Sequence, residues 1–167
     1  MPVTNVEKDP KALTMTITSE FGAPVERSWQ LWADPRQLER WWGPPSYPAT
    51  FVAHDLKLGG IATYFMTGPD GDRSHGWWRV VHVDPPRSLE FEDGFGDDPD
   101  HAPPELPVTR MRVLFEERPG GGTRMSIETA FPSLEAMEQM LSMGIEDGMR
   151  EALTQIDAIV SGADTPG

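Results

Sequence analysis

Residues 133–159, SLEAMEQMLSMGIEDGMREALTQIDAI, decide how this chain is read. Leu134, Met137, Leu141, Ile145, Gly148, Ala152, Ile156 and Ile159 recur at steps of three and four, and Glu135, Glu138, Asp147 and Arg150 fill the opposite side. Ser133 stands where an N-cap oxygen is needed. That period predicts one amphipathic helix of about 27 residues with a single apolar stripe. Such a stripe must be buried against something, and the preceding sequence supplies it. Residues 13–21 alternate apolar side chains with Thr or Ser, placing Leu13, Met15 and Ile17 on one face. Period-two runs follow at 50–58, 61–67, 74–83, 88–92, 108–117 and 123–131. Gly59-Gly60, Pro69-Asp70-Gly71, Asp84-Pro85-Pro86 and Gly120-Gly121-Gly122 give their connections turn chemistry. Consecutive hairpins imply an antiparallel meander.

Between the first strand and the next, Pro24 and then Asp34-Pro35 carry helix-start signals, and Gly43-Pro44-Pro45 forbid continuation. Two short helices are expected, the first about 24–33 and the second started by Asp34-Pro35, with Leu38, Trp41 and Trp42 as its apolar face. The order strand, two short helices, six strands, long helix packs economically in one way, with the sheet gripping the last helix. The expected class is α+β: a helix-grip fold, with a seven-stranded antiparallel sheet wrapped around a long C-terminal helix. Residues 1–12 are read as an N-terminal extension, 13–161 as a single domain and 162–167 as a tail. The acidic, Pro- and Gly-rich stretch 93–107 (DGFGDDPDHAPPELP) reads as a surface loop.

Composition narrows the function classes. The 167 residues carry 14 Lys+Arg against 27 Asp+Glu, a net charge of −13, which repels nucleic-acid phosphates and anionic lipid surfaces. No nucleic-acid or membrane partner is expected. The absence of cysteine excludes disulfides, thiolate metal sites and cysteine nucleophiles. His54, His75, His82 and His101 lack metal-ligand spacing, so no metal is expected. Asp97, Asp98, Asp100 and His101 crowd one loop without the calcium-loop pattern. No phosphate-cradling or dinucleotide glycine motif and no nucleophile elbow occurs, so neither a cofactor nor a catalytic residue is assigned. Met1–Lys11 has no apolar leader core, and the expected compartment is the cytoplasm.

Four stretches carry a family resemblance: PVERSWQLWADPRQLERWWGP at 24–44, LGG at 58–60, VDPPRSLEF at 83–91 and GGTRMSIETAFPS at 121–133. In these the chain resembles the START-like SRPBCC superfamily, and within it the family named for the activator of heat-shock-protein-90 ATPase homologue. The resemblance implies a helix-grip fold with a cavity between sheet and long helix, and places Trp41 and Trp42 near the cavity mouth. Eukaryotic co-chaperones of this kind add a separate N-terminal region for which 167 residues leave no room, so a chaperone partner is not expected.

Four of the six tryptophans, Trp29, Trp32, Trp41 and Trp42, fall in this helical start. Each buries on the order of 150–250 Å², so they must fill core, pocket wall or both. Alternation places Tyr64 and Met66, Phe91, and Val113 on inward faces; Trp78 is favoured over Trp77 on its strand, subject to a bulge changing the parity. Nine methionines add polarizable surface that tolerates varied apolar ligands or simply fills gaps. The expected function is binding of a small hydrophobic or aromatic molecule. Its cavity would draw on Trp32, Trp41 and Trp42 from the helical start, on Tyr64, Met66, Trp78, Phe91 and Val113 from the sheet, and on Met137, Leu141 and Ile145 from the helix. Two alternatives compete: a cyclase- or hydrolase-like enzyme using His82, His75 or Tyr64 as acid or base, and a chaperone co-factor or other protein-interaction module, or a homodimer, engaged through an exposed sheet face, such as a Trp77 patch, or a sheet edge.

Overall fold

The computed structural model describes residues 3–101, 103 and 106–160. The tail at 162–167 and part of the expected loop, residues 102, 104 and 105, lie outside the described residues. The sheet is fully antiparallel, and among the described residues it has eight strands rather than seven, in the order β1-β2-β8-β7-β6-β5-β4-β3. The additional strand is β1 (Val3–Asp9), which pairs along β2 (Thr14–Phe21) at the sheet edge. Its sequence, VTNVEKD, hides it from a periodicity argument. An edge strand buries little, and only Val3 and Val6 turn half-buried against the core.

Helices α1 (Val25–Ala33) and α2 (Pro35–Leu38) carry the chain from β2 to the far edge, β3 (Ala49–His54). Asp34 accepts from the Arg36 N–H at 2.9 Å and so caps α2 ahead of Pro35. The meander then returns through β4 (Ile61–Thr67), β5 (Arg73–Asp84), β6 (Ser88–Phe95), β7 (Thr109–Glu117) and β8 (Thr123–Ala130), the last pairing with β2. Alternation holds on the inner face: Ala62, Tyr64, Leu89, Phe91, Met111, Val113, Phe115, Met125 and Ile127 are all buried.

Strand β5 has the bulge that its sequence left open. Register with β6 shifts between Val80 and His82, so Trp78 and Val80 face inward before it and Val83 packs against the core after it. Trp77, on the other face, is buried too. Its ring occupies the space that a Cβ on Gly94 would take, and its Nε1 donates to the Phe95 carbonyl at 3.0 Å. The exposed Trp77 patch expected of an interaction module is therefore absent.

The single long helix is the second correction. The segment forms three helices, α3 (Leu134–Ser142), α4 (Ile145–Leu153) and α5 (Ile156–Val160). Ser133 caps the first by accepting from the Ala136 N–H at 3.0 Å. Gly144, at φ 87°, takes the left-handed conformation that ends α3, and Thr154-Gln155 separate α4 from α5. The apolar period runs through both breaks because each piece still turns its stripe to the sheet: Met137 and Met140, then Ala152 and Leu153, then Ile156 and Ile159 are buried. Gln155 holds the last turn in place, its Nε2 donating to the Gly43 carbonyl at 2.8 Å. Lys8 of β1 reaches Glu146 of α4 at 2.6 Å.

Candidate functional site

Tryptophan fills the middle of the space between sheet and helices. Trp32 is fully buried, 4.8 Å from Trp41 and 6.0 Å from Trp78 between ring centroids, and its Nε1 donates to the Met125 sulfur at 3.2 Å. Trp78 stacks on Phe91 at 4.1 Å. Trp41 donates to the Leu31 carbonyl at 2.9 Å. His54 closes this end. Its Nε2 donates to the Trp32 carbonyl at 2.9 Å while its Nδ1 is buried without a partner, and burial lowers its pKa below the usual imidazole value.

With the centre filled, open space is left toward one end, where β4, β5, β6 and β7 face the junction of α3 and α4. A cleft of about 370 Å³ lies there. Trp42 and Pro44 form one wall, and Tyr64, Met66, Phe95 and Met111 rise from the sheet. Met140, Met143, Ile145, Gly148 and Met149 descend from the helices, and Ser74, His75, Asp93 and Thr109 supply polar atoms. Of the eleven residues expected from sequence, Trp42, Tyr64, Met66 and Ile145 line this cleft. Trp32, Trp41, Trp78, Phe91, Val113 and Met137 are core beneath or beside it, buried by the tryptophan cluster itself. Leu141 is half-buried and does not line the cleft.

The polar part of the cleft is compact. The Tyr64 hydroxyl donates to Asp93 Oδ1 at 2.9 Å. Tyr64 lies across β5 only because residue 76 is glycine, since a Cβ there would run into the phenol ring. Burial, then the Asp93 charge beside it, holds the Tyr64 pKa well above 10, so the hydroxyl remains a donor. Burial also pushes the Asp93 carboxyl from 3.8 up to about 7, against the Tyr64 hydrogen bond, which favours its charged form. Asp93 Oδ2 has no hydrogen-bond partner among the described residues and is not sealed from solvent. The Trp42 indole N–H is buried and completes no hydrogen bond. His75 is exposed on the outer face of β5, with its Nδ1 3.6 Å from an Asp97 carboxylate oxygen.

Alternation alone ends this strand at Glu92 and gives the acidic run after it to a loop, which leaves Asp93 out, whereas β6 continues to Phe95. The signal that could have found it was Gly94, a mid-strand glycine that marks a close approach. The acid–base candidates divide: Tyr64 lies in the cleft, His75 borders it from the outer face of β5 with its ring 5.7 Å from that of Phe65, and His82 is exposed and bonds Ser88 Oγ at 3.1 Å. Among the described residues no cluster of His, Asp and Glu could hold a metal ion, and no helix is long and apolar enough to cross a membrane.

The family model described as Activator of Hsp90 ATPase homolog 1-like protein matches residues 22–161. The chain belongs to this family. Its fold is one that generally serves as a ligand-binding scaffold. A crystal structure of protein Ms6760 from Mycobacterium smegmatis is 51% identical, with 95% of this chain and 97% of that one covered and a TM-score of 0.87. A solution structure from Arthrobacter aurescens is also 51% identical, over 95% of this chain and 92% of that one, with a TM-score of 0.89. A Staphylococcus epidermidis solution structure, at 24% identity, 98% coverage of both chains and a TM-score of 0.81, shares the fold. No curated protein matches the chain.

Proposed function

We propose that this family member binds a small, mainly apolar molecule in the cleft between the sheet and the α3–α4 junction. The observation that carries the reading is the cleft itself. Space of about 370 Å³ within an otherwise tightly filled core is lined by aromatic rings and five methionines, with one hydrogen-bonded polar pair, Tyr64–Asp93, among them. Methionine thioethers adapt to varied apolar shapes, and the polar pair fixes the orientation of whatever enters. A ligand of about 20 heavy atoms at roughly 0.3 kcal/mol each would bind with about 6 kcal/mol, a Kd in the tens of micromolar.

Trp42 is both wall and reporter. Titrating intrinsic tryptophan fluorescence with a panel of apolar aromatics of graded size and charge should give saturable changes for part of the panel, weakened in Trp42→Ala. If no compound produces a saturable response by fluorescence or calorimetry, the reading is wrong.

A further inference from the structure

The charge distribution around the cleft narrows the ligand further, on the assumption that the cleft is a binding site. No lysine or arginine lines it among the described residues. On β4 the titratable group facing Asp93 is Tyr64, which donates to it; the inner face of β5 carries Ser74, Gly76 and Trp78 there, with His75 on the outer face against Phe65; β7 contributes Thr109 and Met111, and α3 and α4 contribute only uncharged residues among those described. A carboxylate ligand would thus enter an acidic protein, face an aspartate and find no cation. An ammonium group would find the opposite: the Asp93 carboxylate among the cleft residues, its Oδ2 without a hydrogen-bond partner among the described residues, with the rings of Trp42, Tyr64 and Phe95 around the same space. A carboxylate together with aromatic faces is the arrangement that compensates a cation for lost water.

We propose that the cleft selects hydrophobic amines, with the protonated nitrogen held by Asp93 Oδ2 among the aromatic rings and the apolar body lying on the methionines, and that it discriminates against hydrophobic carboxylates. Ammonium binding stabilises the charged carboxyl, so affinity falls as Asp93 takes up a proton in acid.

Three probes of nearly equal shape separate this from the simpler cleft reading: phenylbutylamine, phenylbutanol and phenylbutyrate, titrated by calorimetry at about pH 8, where most of the Asp93 carboxyl is charged. The amine should bind at least about tenfold more tightly than the alcohol, as expected for a charge-assisted hydrogen bond, with the butyrate weakest. In Asp93→Asn, which keeps an acceptor for Tyr64, the amine should fall to the level of the alcohol while the alcohol changes little. His75→Ala should retain the preference. Equal binding of all three, tighter binding of butyrate, or a preference that survives Asp93→Asn overturns the proposal and leaves the cleft as a binding site. Failure of all three probes and of the wider aromatic panel refutes both.

Discussion

Replacing Asp93 by asparagine should make the protein more stable, and only above a definite pH. The folded state holds the Asp93 carboxyl at about 7 instead of 3.8 because burial disfavours its charge. Protonation is therefore tighter in the folded than in the unfolded chain. The stability linked to this group is fully present below about pH 4, declines as the pH rises toward 7, and stays lost above it. At about 1.4 kcal/mol per tenfold change, the ceiling is about 4 kcal/mol. Asp93 is half-buried and lines the cleft, so solvent recovers part of that, and on the order of 2 kcal/mol is the expected effect. Asparagine is nearly isosteric, accepts from Tyr64 and carries no charge. Urea denaturation of both proteins between about pH 5 and pH 8 isolates the contribution, because the other carboxylates cancel in the difference. The variant's advantage should grow with pH and level off near pH 7 to 8. A difference that is flat with pH, or a variant less stable than the parent at pH 8, would refute the reasoning that burial dominates at this carboxyl.

Further outcomes follow from the packing. Gly76→Ala should destabilise by about 1–3 kcal/mol, because its methyl meets the Tyr64 ring; an unchanged thermal midpoint would mean that the phenol moves aside freely. Trp32→Ala should cost about 3–5 kcal/mol in urea denaturation, whereas Met66→Ala, at the half-buried cleft wall, should cost less than about 2 while weakening ligand binding. Equal costs would show that the cleft is no less tightly packed than the centre. Lys8→Ala should let Glu146, now held below 4.5 chiefly by its hydrogen bond from Lys8, titrate nearer its ordinary value by NMR. The accompanying loss of stability should be under about 1 kcal/mol, since the pair is partly exposed.

Much of this molecule was legible in order and period. Alternation placed Tyr64, Leu89, Phe91, Val113 and Ile127 inward because side chains on a paired strand have no other way to turn. Ser133 and Asp34-Pro35 marked helix starts through local hydrogen-bond chemistry that needs no tertiary context. Strand β1 was not legible. Its residues are polar, and its place at the edge comes from pairing with β2, a partner that local propensity does not name. The breaks in the last helix were equally hidden. Gly144 can continue a helix or leave it, and the sheet on which the segment rests decides which.

The linear chain on its own determined the α+β class, the antiparallel meander and the identity of the apolar face, because these follow from periods of two and of three to four and from turn chemistry. Tertiary packing alone decided where space was left. Six of the residues expected to line a cavity became solid core, since tryptophans meeting from α1, the Trp41-Trp42 turn and β5 fill the centre regardless of which one is counted as wall. Tertiary packing also placed Asp93 in the cleft. A carboxyl acquires its unusual chemistry from burial and from a partner, and Tyr64 comes to lie beside it only when β4, β5 and β6 are side by side with glycine between them.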